Sequence, residues 1–533
     1  MTGSRYAENL DKLLTIGTAL SSERNLDKLL EMILDLAREL TIADAGTLYL
    51  VDKADNALEF KIAHNESLGT RVGGTSGIEP NVPPVPLQKD GEPNLSNVSA
   101  YAANTNELVN IQDVYAEDES TGFDFVGPRN YDKFFGYHTK SMLSVPMKNH
   151  EDEIIGVLQL INAKDKESGE LIPFRDEYVA LSKSLASQAA VALTNAKLIK
   201  DLKALFDSFI KSTAGAIERK SPYTGGHIRR VAMLTMMIAN KVNEMTEGPY
   251  ADVNFSEDEL DELRIAAWMH DLGKITTPVH VVDKATKLEA IFDRIELIRT
   301  RFDVIFRERE NEALQEKVVL LSNGDVDTAN LQAIDEALQK DLSQISDDLE
   351  FLVLVNQGGE FMEAEKIDRL HNIAQQTFIL NGKAHPYLTE NEVYNLGIKK
   401  GTLNNEDRKK IEEHALVSIE MLRELPFPRK LAKVSEYAGG HHEKLNGKGY
   451  PFGLTADELA LQTRIMAVAD IFEALTAHDR PYKKPMPLSK AKQIMGFFVK
   501  DNELDQNIVD LFLDEGVCQE YATSEMDPTQ LDE

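Results

Sequence analysis

A chain of 533 residues exceeds what one hydrophobic core organises, so two or three domains are expected. Hydrophobic residues at 42% and charged residues at 28% suit a globular protein in water, and no apolar run is long enough to cross a bilayer. A formal net charge of −31 argues against a nucleic-acid binder, and the single cysteine, Cys518, excludes an internal disulfide framework. With no apolar signal core near Met1, these features lead to the expectation of a cytoplasmic location.

Residues 9–180 read as a mixed α/β sensor module. Leu20, Leu29, Ile33 and Leu36 mark an early amphipathic helical segment, after which alternation takes over. Leu58, Phe60 and Ile62 interleave with Glu59 and Lys61 as a half-buried strand does. The runs Met142–Met147 and Ile154–Leu160 flank a short acidic turn, which predicts a hairpin. Leu181, Leu185, Ala189, Ala192, Ala196 and Ile199 then recur at spacings of four and three. That pattern predicts a connecting helix over 181–206 that packs either against its twin in a parallel homodimer or into the sensor's own core.

From 207 to 533 the chain reads almost wholly helical. The stretch from about 292 to 388 is charged and poor in turn residues, as in Leu331–Leu338. It reads as an inserted helical hairpin or lobe, with a structural or partner-binding role rather than a catalytic one.

Several segments of this half carry metal-ligand chemistry. His270 and Asp271 end a helix whose apolar face carries Leu260, Leu263 and Ala267, with Lys274 one turn on. His227 follows two glycines at a helix start, and His414 lies on a helix after Asn405-Glu406-Asp407. His441 and His442 precede Gly447-Lys448-Gly449-Tyr450-Pro451, a stiff loop with a tyrosine at its tip. Asp470 lies between Ala467 and Ala474, small residues that let helices pack closely around it. Five histidines and two aspartates form a nitrogen and oxygen set for first-row divalent metals. No thiolate is among them, which disfavours a structural zinc site, and seven donors exceed what one ion uses.

Two family resemblances fit these stretches. Lys140-Ser141-Met142-Leu143-Ser144-Val145-Pro146 followed by Ile155-Gly156-Val157-Leu158 resembles a GAF domain. Trp268–Lys274, His441–Pro451 and Val468-Ala469-Asp470, in that order, resemble the HD-GYP branch of the HD phosphohydrolase superfamily, whose characterised members hydrolyse cyclic dinucleotides. Together they imply an α+β chain: a GAF-like sensor with an antiparallel sheet and helices, a connecting helix, and an all-α HD-GYP domain with a helical insertion. The GAF resemblance implies either a pocket for an unknown small molecule or a dimerising spacer.

By resemblance to HD-GYP proteins, one ion takes His227, His270, Asp271 and Asp470, and the other Asp271, His414, His441 and His442. The pair, iron or manganese, would activate water against cyclic di-GMP to give pGpG and then GMP. Asp271 and Lys274 are the implied catalytic residues; Lys274, Tyr450, Arg480 and Lys483 are the implied substrate contacts. Two rivals stand beside this reading. One is a non-catalytic receptor or scaffold for a cyclic dinucleotide, the other a phosphodiesterase for a different one such as cyclic GMP-AMP. The chain departs from the family pattern in two places. Tyr223 stands where some members carry a glutamate ligand for a third metal, and Asn446 where aspartate is usual.

Overall fold

The computed structural model describes residues 15, 17–116, 122–220, 226–324, 328–359, 361–477 and 485–532. The chain divides into two compact units, Met1–Phe206 and Asp207–Glu533.

In the first unit, Asn25 caps helix α1 (Leu26–Thr41) by accepting from the Lys28 amide, and Ile42 leaves it in the left-handed conformation. Leu29, Leu30, Ile33, Leu34 and Ala37 form its buried stripe. Strands β1 (Ala43–Asp52), β2 (Ala57–Asn65) and β3 (Thr70–Gly73) follow. Helix α2 (Val98–Thr105) leads to β4 (Val109–Ile111), and helix α3 (Val126–Phe135) to β5 (Met142–Lys148) and β6 (Ile154–Lys164). The sheet runs β3-β2-β1-β6-β5-β4 with every neighbouring pair antiparallel. The hairpin expected around the acidic turn is β5–β6.

One face of this sheet packs on α1 and on the start of α4 (Asp176–Lys220), a helix of 45 residues. Under α2 a polar chain fills the space on the other face. The Tyr49 hydroxyl donates to Gln159 Oε1 at 3.2 Å, and Gln159 Nε2 reaches Ser99 and Ser144 at 3.0 Å each.

The helical stripe expected to meet a twin or to line a core takes the second course. Leu185 and Ala189 are buried in the sensor core, so most of that stripe faces inward. A second stripe on α4 stays exposed: Val191, Leu198, Leu202, Leu205 and Phe209, with Asn195 between. Both stripes have helical period; only packing against the sheet decides which is inside.

Among the described residues the second unit is helical apart from one small hairpin. Helices α5 (His227–Glu244) and α6 (Glu257–Met269) pack together, and a 3₁₀ turn at Leu272–Ile275 follows. Ser256 and Glu259 cap α6 reciprocally, which fixes where it starts. Next come the long antiparallel pair α7 (Ile295–Ser322) and α8 (Thr328–Asn356), then α9 (Ala364–Ala374). A small hairpin, β7 (Thr377–Leu380) with β8 (Lys383–Pro386), interrupts the helices. Asn381 and Gly382 both have positive φ, as a tight two-residue hairpin turn requires. This lobe has its own core, including Phe302, Ile305, Leu352 and Tyr387. After α10 (Glu390–Leu396), helices α11 (Asn405–Arg423), α12 (Val434–Gly439) and α13 (Leu461–Thr476) return to pack near α5 and α6.

Candidate metal centre

Each proposed donor sits where a helix begins, ends or packs tightly. Gly226, at a φ of 84°, turns the chain so that His227 opens α5. His270 caps α6 and Asp271 begins the 3₁₀ turn. His414 lies in the middle of α11, His441 and His442 follow α12, and Asp470 lies within α13. Gly273 allows the turn to touch α11: a Cβ there would lie 2.0 Å from the His414 carbonyl oxygen. The Gly273 amide donates instead to Ser418 Oγ at 2.8 Å, and that hydroxyl donates to the His270 carbonyl at 2.9 Å.

The donors converge. His227, His270 and Asp271 form one group, and His414, His441 and His442 another; within each, the ligand atoms lie within 4.8 Å of one another. Asp271 faces both groups. Its Oδ2 is 3.5 Å from His227 Nε2 and 3.3 Å from His270 Nε2, whereas Oδ1 is 3.4 Å from His414 Nε2 and 4.0 Å from His441 Nε2. Asp470 divides in the same way, with Oδ1 at 3.3 Å from His227 Nε2 and Oδ2 at 3.8 Å from His442 Nδ1.

The tautomers follow from the partners. His270, His414 and His441 each point Nδ1 at the backbone carbonyl three residues earlier, at 2.8, 2.5 and 2.5 Å. A carbonyl only accepts, so Nδ1 carries the proton and Nε2 presents a lone pair to the centre. All three Nε2 atoms, and Asp271 Oδ1, are buried without a hydrogen-bond partner. Stranding four such atoms together is costly unless a cation meets them. The donor set therefore fits divalent metal ions.

Charge points the same way. Burial would raise Asp271, but Lys274 and the surrounding imidazoles hold its carboxyl well below the usual carboxylate range. Burial likewise opposes ionisation of Asp470, and His227, His442 and His441 keep it well below that range. Burial and the neighbouring histidines push His441 well below the ordinary imidazole value, and burial pushes His442 down to about 3. Both rings are thus neutral, the form that ligates. His227 behaves differently. Burial lowers it, yet Glu473, Asp271 and Asp470 together hold it well above its ordinary value, so positive charge is favourable at that spot.

Glu473 is a functional candidate that sequence reading overlooks. It is fully buried on α13, with Oε2 on His227 Nδ1 and Oε1 accepting from Arg230 Nε at 2.7 Å. It orients His227 as carboxylates do behind metal-bound imidazoles. Its spacing of three from Asp470, on the same helical face, is the signal that could have found it. Glu443 plays a scaffolding part. Its carboxylate accepts from the amides of Phe452, Gly453 and Leu454 at 2.7, 3.2 and 2.9 Å and so shapes the loop after Tyr450.

Lys274 Nζ lies 2.6 Å from Asp271 Oδ2, at the rim of the donor cluster. The Tyr450 ring lies against His442, centroids 4.7 Å apart. Gly449 makes that loop possible, because a Cβ there would meet Glu443 Cα at 2.4 Å. Asn446 accepts from the Lys448 amide at 3.0 Å and donates to the Asp501 carbonyl at 3.0 Å, a loop-shaping role. Arg480, Lys483 and Tyr223 lie outside the described residues.

Residues 224–343 and 390–508 match family models that are both described as an HD domain, and residues 25–193 match the GAF domain model. Among curated proteins, the chain is 44% identical over 97 residues to 3'3'-cGAMP-specific phosphodiesterase 3 of Vibrio cholerae, covering 18% of this chain and 20% of that protein. It is 38% identical over 115 residues to 3'3'-cGAMP-specific phosphodiesterase 1 of the same organism (22% and 26% covered). To the "Probable cyclic di-GMP phosphodiesterase" of that organism it is 34% identical over 149 residues (26% and 33% covered). The matches thus span a fifth to a third of those relatives' lengths. No described helix is long and apolar enough to cross a membrane.

Proposed function

We propose that the chain, whose segments match the GAF and HD domain models, is a metal-dependent phosphodiesterase of the HD-GYP type, hydrolysing cyclic di-GMP to pGpG and further to GMP. The observation that carries this reading is the set of stranded donors: three buried Nε2 lone pairs and one carboxylate oxygen aimed at one space. His227, His270, Asp271 and Asp470 would hold one divalent ion, and Asp271, His414, His441 and His442 the other; iron or manganese suits these donors. When bound, such ions supply Lewis acidity, lowering the pKa of water and neutralising phosphoryl oxygens.

The chain's own residues do the rest. Asp271 turns Oδ2 towards His227 and Oδ1 towards His414, so it would serve both ions. Lys274, held by Asp271 at 2.6 Å, offers its remaining N–H donors to a phosphate of the substrate. Tyr450 presents a ring face beside His442 on which a guanine base stacks. Arg480 and Lys483 complete the phosphate contacts in this reading, a guanidinium being suited to bidentate binding. These cations also answer the charge problem of an anionic substrate on a chain of net charge −31.

The domains are assigned as 9–180 for the sensor, 181–206 for the connecting helix and 207–533 for the catalytic domain with its 292–388 insertion. The sensor regulates hydrolysis, with or without a small ligand of its own. The exposed stripe from Val191 to Phe209 on α4 pairs with a second copy of the chain. Cyclic GMP-AMP is the second substrate reading, favoured by the similarity to the two 3'3'-cGAMP-specific phosphodiesterases.

The test is turnover. Full-length protein loaded with Fe(II) or Mn(II) should convert cyclic di-GMP to pGpG, and His270→Ala or Asp271→Ala should abolish it. Recovery of intact substrate from metal-replete parent would reject the enzyme. Tight binding that survives both substitutions would then favour the receptor.

A further inference from the structure

One cation beside the centre has no part in that chemistry. Lys220 is the last residue of α4, and its Nζ donates to the backbone carbonyls of Lys274 at 3.0 Å, Thr277 at 2.6 Å and Ile275. Those carbonyls end the 3₁₀ turn that begins next to Asp271. The carbonyl end of such a turn carries partial negative charge and attracts an ammonium. Hydrogen bonds from an ionised donor are the stronger kind, and three of them fix this ammonium in place.

Two residues earlier on α4, Glu218 Oε1 accepts from the Ile228 amide at 3.1 Å. Ile228 adjoins His227 at the start of α5. The final turn of α4 thus grips two donor-bearing segments, one carrying Asp271 and Lys274, the other carrying His227. The same helix begins among the core residues of the sensor, including Leu185 and Ala189.

We propose that Lys220 is a positioning residue of the metal centre: by gathering the carbonyls of Lys274, Ile275 and Thr277, it holds the turn that aims Asp271 and Lys274. The inference rests on the phosphodiesterase reading above and adds to it a residue that touches neither metal nor substrate. Asp271 is sensitive to this because its two oxygens face different histidine groups. A shift of the turn by about 1 Å is enough to cost about 100-fold in rate. The end of α4 therefore sets the aim of the centre.

The experiment compares the full-length parent with Lys220→Met and Lys220→Arg, each loaded with Co(II). Two properties are read: kcat and KM for cyclic di-GMP, and the visible absorption band of the bound cobalt. Folded Lys220→Met should retain its cobalt, lose about 10- to 100-fold in kcat with KM nearly unchanged, and show a shifted band. Lys220→Arg, which keeps the charge but not the compact ammonium, should fall between. Parental kcat and a parental band in folded Lys220→Met would overturn the proposal. Should Lys220→Met fail to fold, the same two parental values in Lys220→Arg would overturn it. A parent that binds cobalt but, loaded with Fe(II) or Mn(II), hydrolyses no cyclic dinucleotide rejects the phosphodiesterase reading alone, and the band still decides for Lys220. A parent that binds no cobalt removes both.

Discussion

Glu473 and Lys287 show how single buried charges are used in opposite ways. Glu473 lies between His227 and Arg230, so its charge is compensated and its work is orientation. Glu473→Gln should weaken metal binding about 10- to 100-fold while leaving all seven donors in place. Chelator competition measures this, and parental affinity would remove Glu473 from the centre. Lys287, in the lobe, is 1% exposed, and its Nζ donates to the Leu396 carbonyl at 3.0 Å. Burial, with Lys366 nearby, pushes its pKa down to about 8. Because the folded-state pKa lies below the unfolded one, burying the ammonium costs stability below that pH. The cost fades as pH rises from about 8 towards the free lysine value near 10.4. The difference in Tm, Lys287→Met minus parent, should therefore shrink between about pH 7 and pH 10. A difference that stays constant across that range would contradict the assignment. The proposed seven donors are legible chiefly through the family resemblance: His270-Asp271 and His441-His442 stand out as paired donors, whereas His414, in Glu412-Glu413-His414-Ala415, carries no mark of its own. Glu473 is not, because an acidic residue in Asp470-Ile471-Phe472-Glu473 looks like any helical charge until α5 packs on α13.

At the scale of elements, the centre exists because a turn and a helix touch. Gly273 permits that contact with α11, and Ser418 ties the His270 carbonyl to the Gly273 amide across it. Gly273→Ala places a methyl group 2.0 Å from the His414 carbonyl oxygen. The expected result is a loss of about 1–3 kcal/mol or more in stability, seen in denaturant unfolding, together with loss of bound metal. Unchanged stability and metal content would mean that the turn and α11 are not in contact. Two features of the elements escape periodicity. Leu185 and Val191 both lie on α4 at helical spacings, yet one is in the sensor core and the other is exposed, a choice made by the sheet. The β7–β8 hairpin lies within a stretch that reads as helical; Asn381-Gly382, a turn signal in its own right, marks it. The antiparallel pairing of β5 with β6 is more legible, since they are two apolar runs joined by a short acidic turn.

At the scale of the whole molecule, the exposed stripe on α4 calls for a partner. Val191, Leu198, Leu202, Leu205 and Phe209 are between 43% and 68% exposed, at spacings that fit a two-stranded coiled coil with Asn195 in the seam. Leu202→Glu combined with Leu205→Glu should convert a dimer to a monomer in light scattering at micromolar concentration. A parent that is already monomeric there would reject the pairing. The central claim is that seven side chains, drawn from residues 227 to 470, cage a pair of cations. Metal analysis of full-length protein purified without oxygen tests it most directly. About two equivalents of divalent metal per chain are predicted, falling to one or fewer in Asp271→Ala, since the proposal has that carboxylate serve both ions. A parent that binds one ion or none when replete, or an Asp271→Ala variant that keeps both, would contradict it.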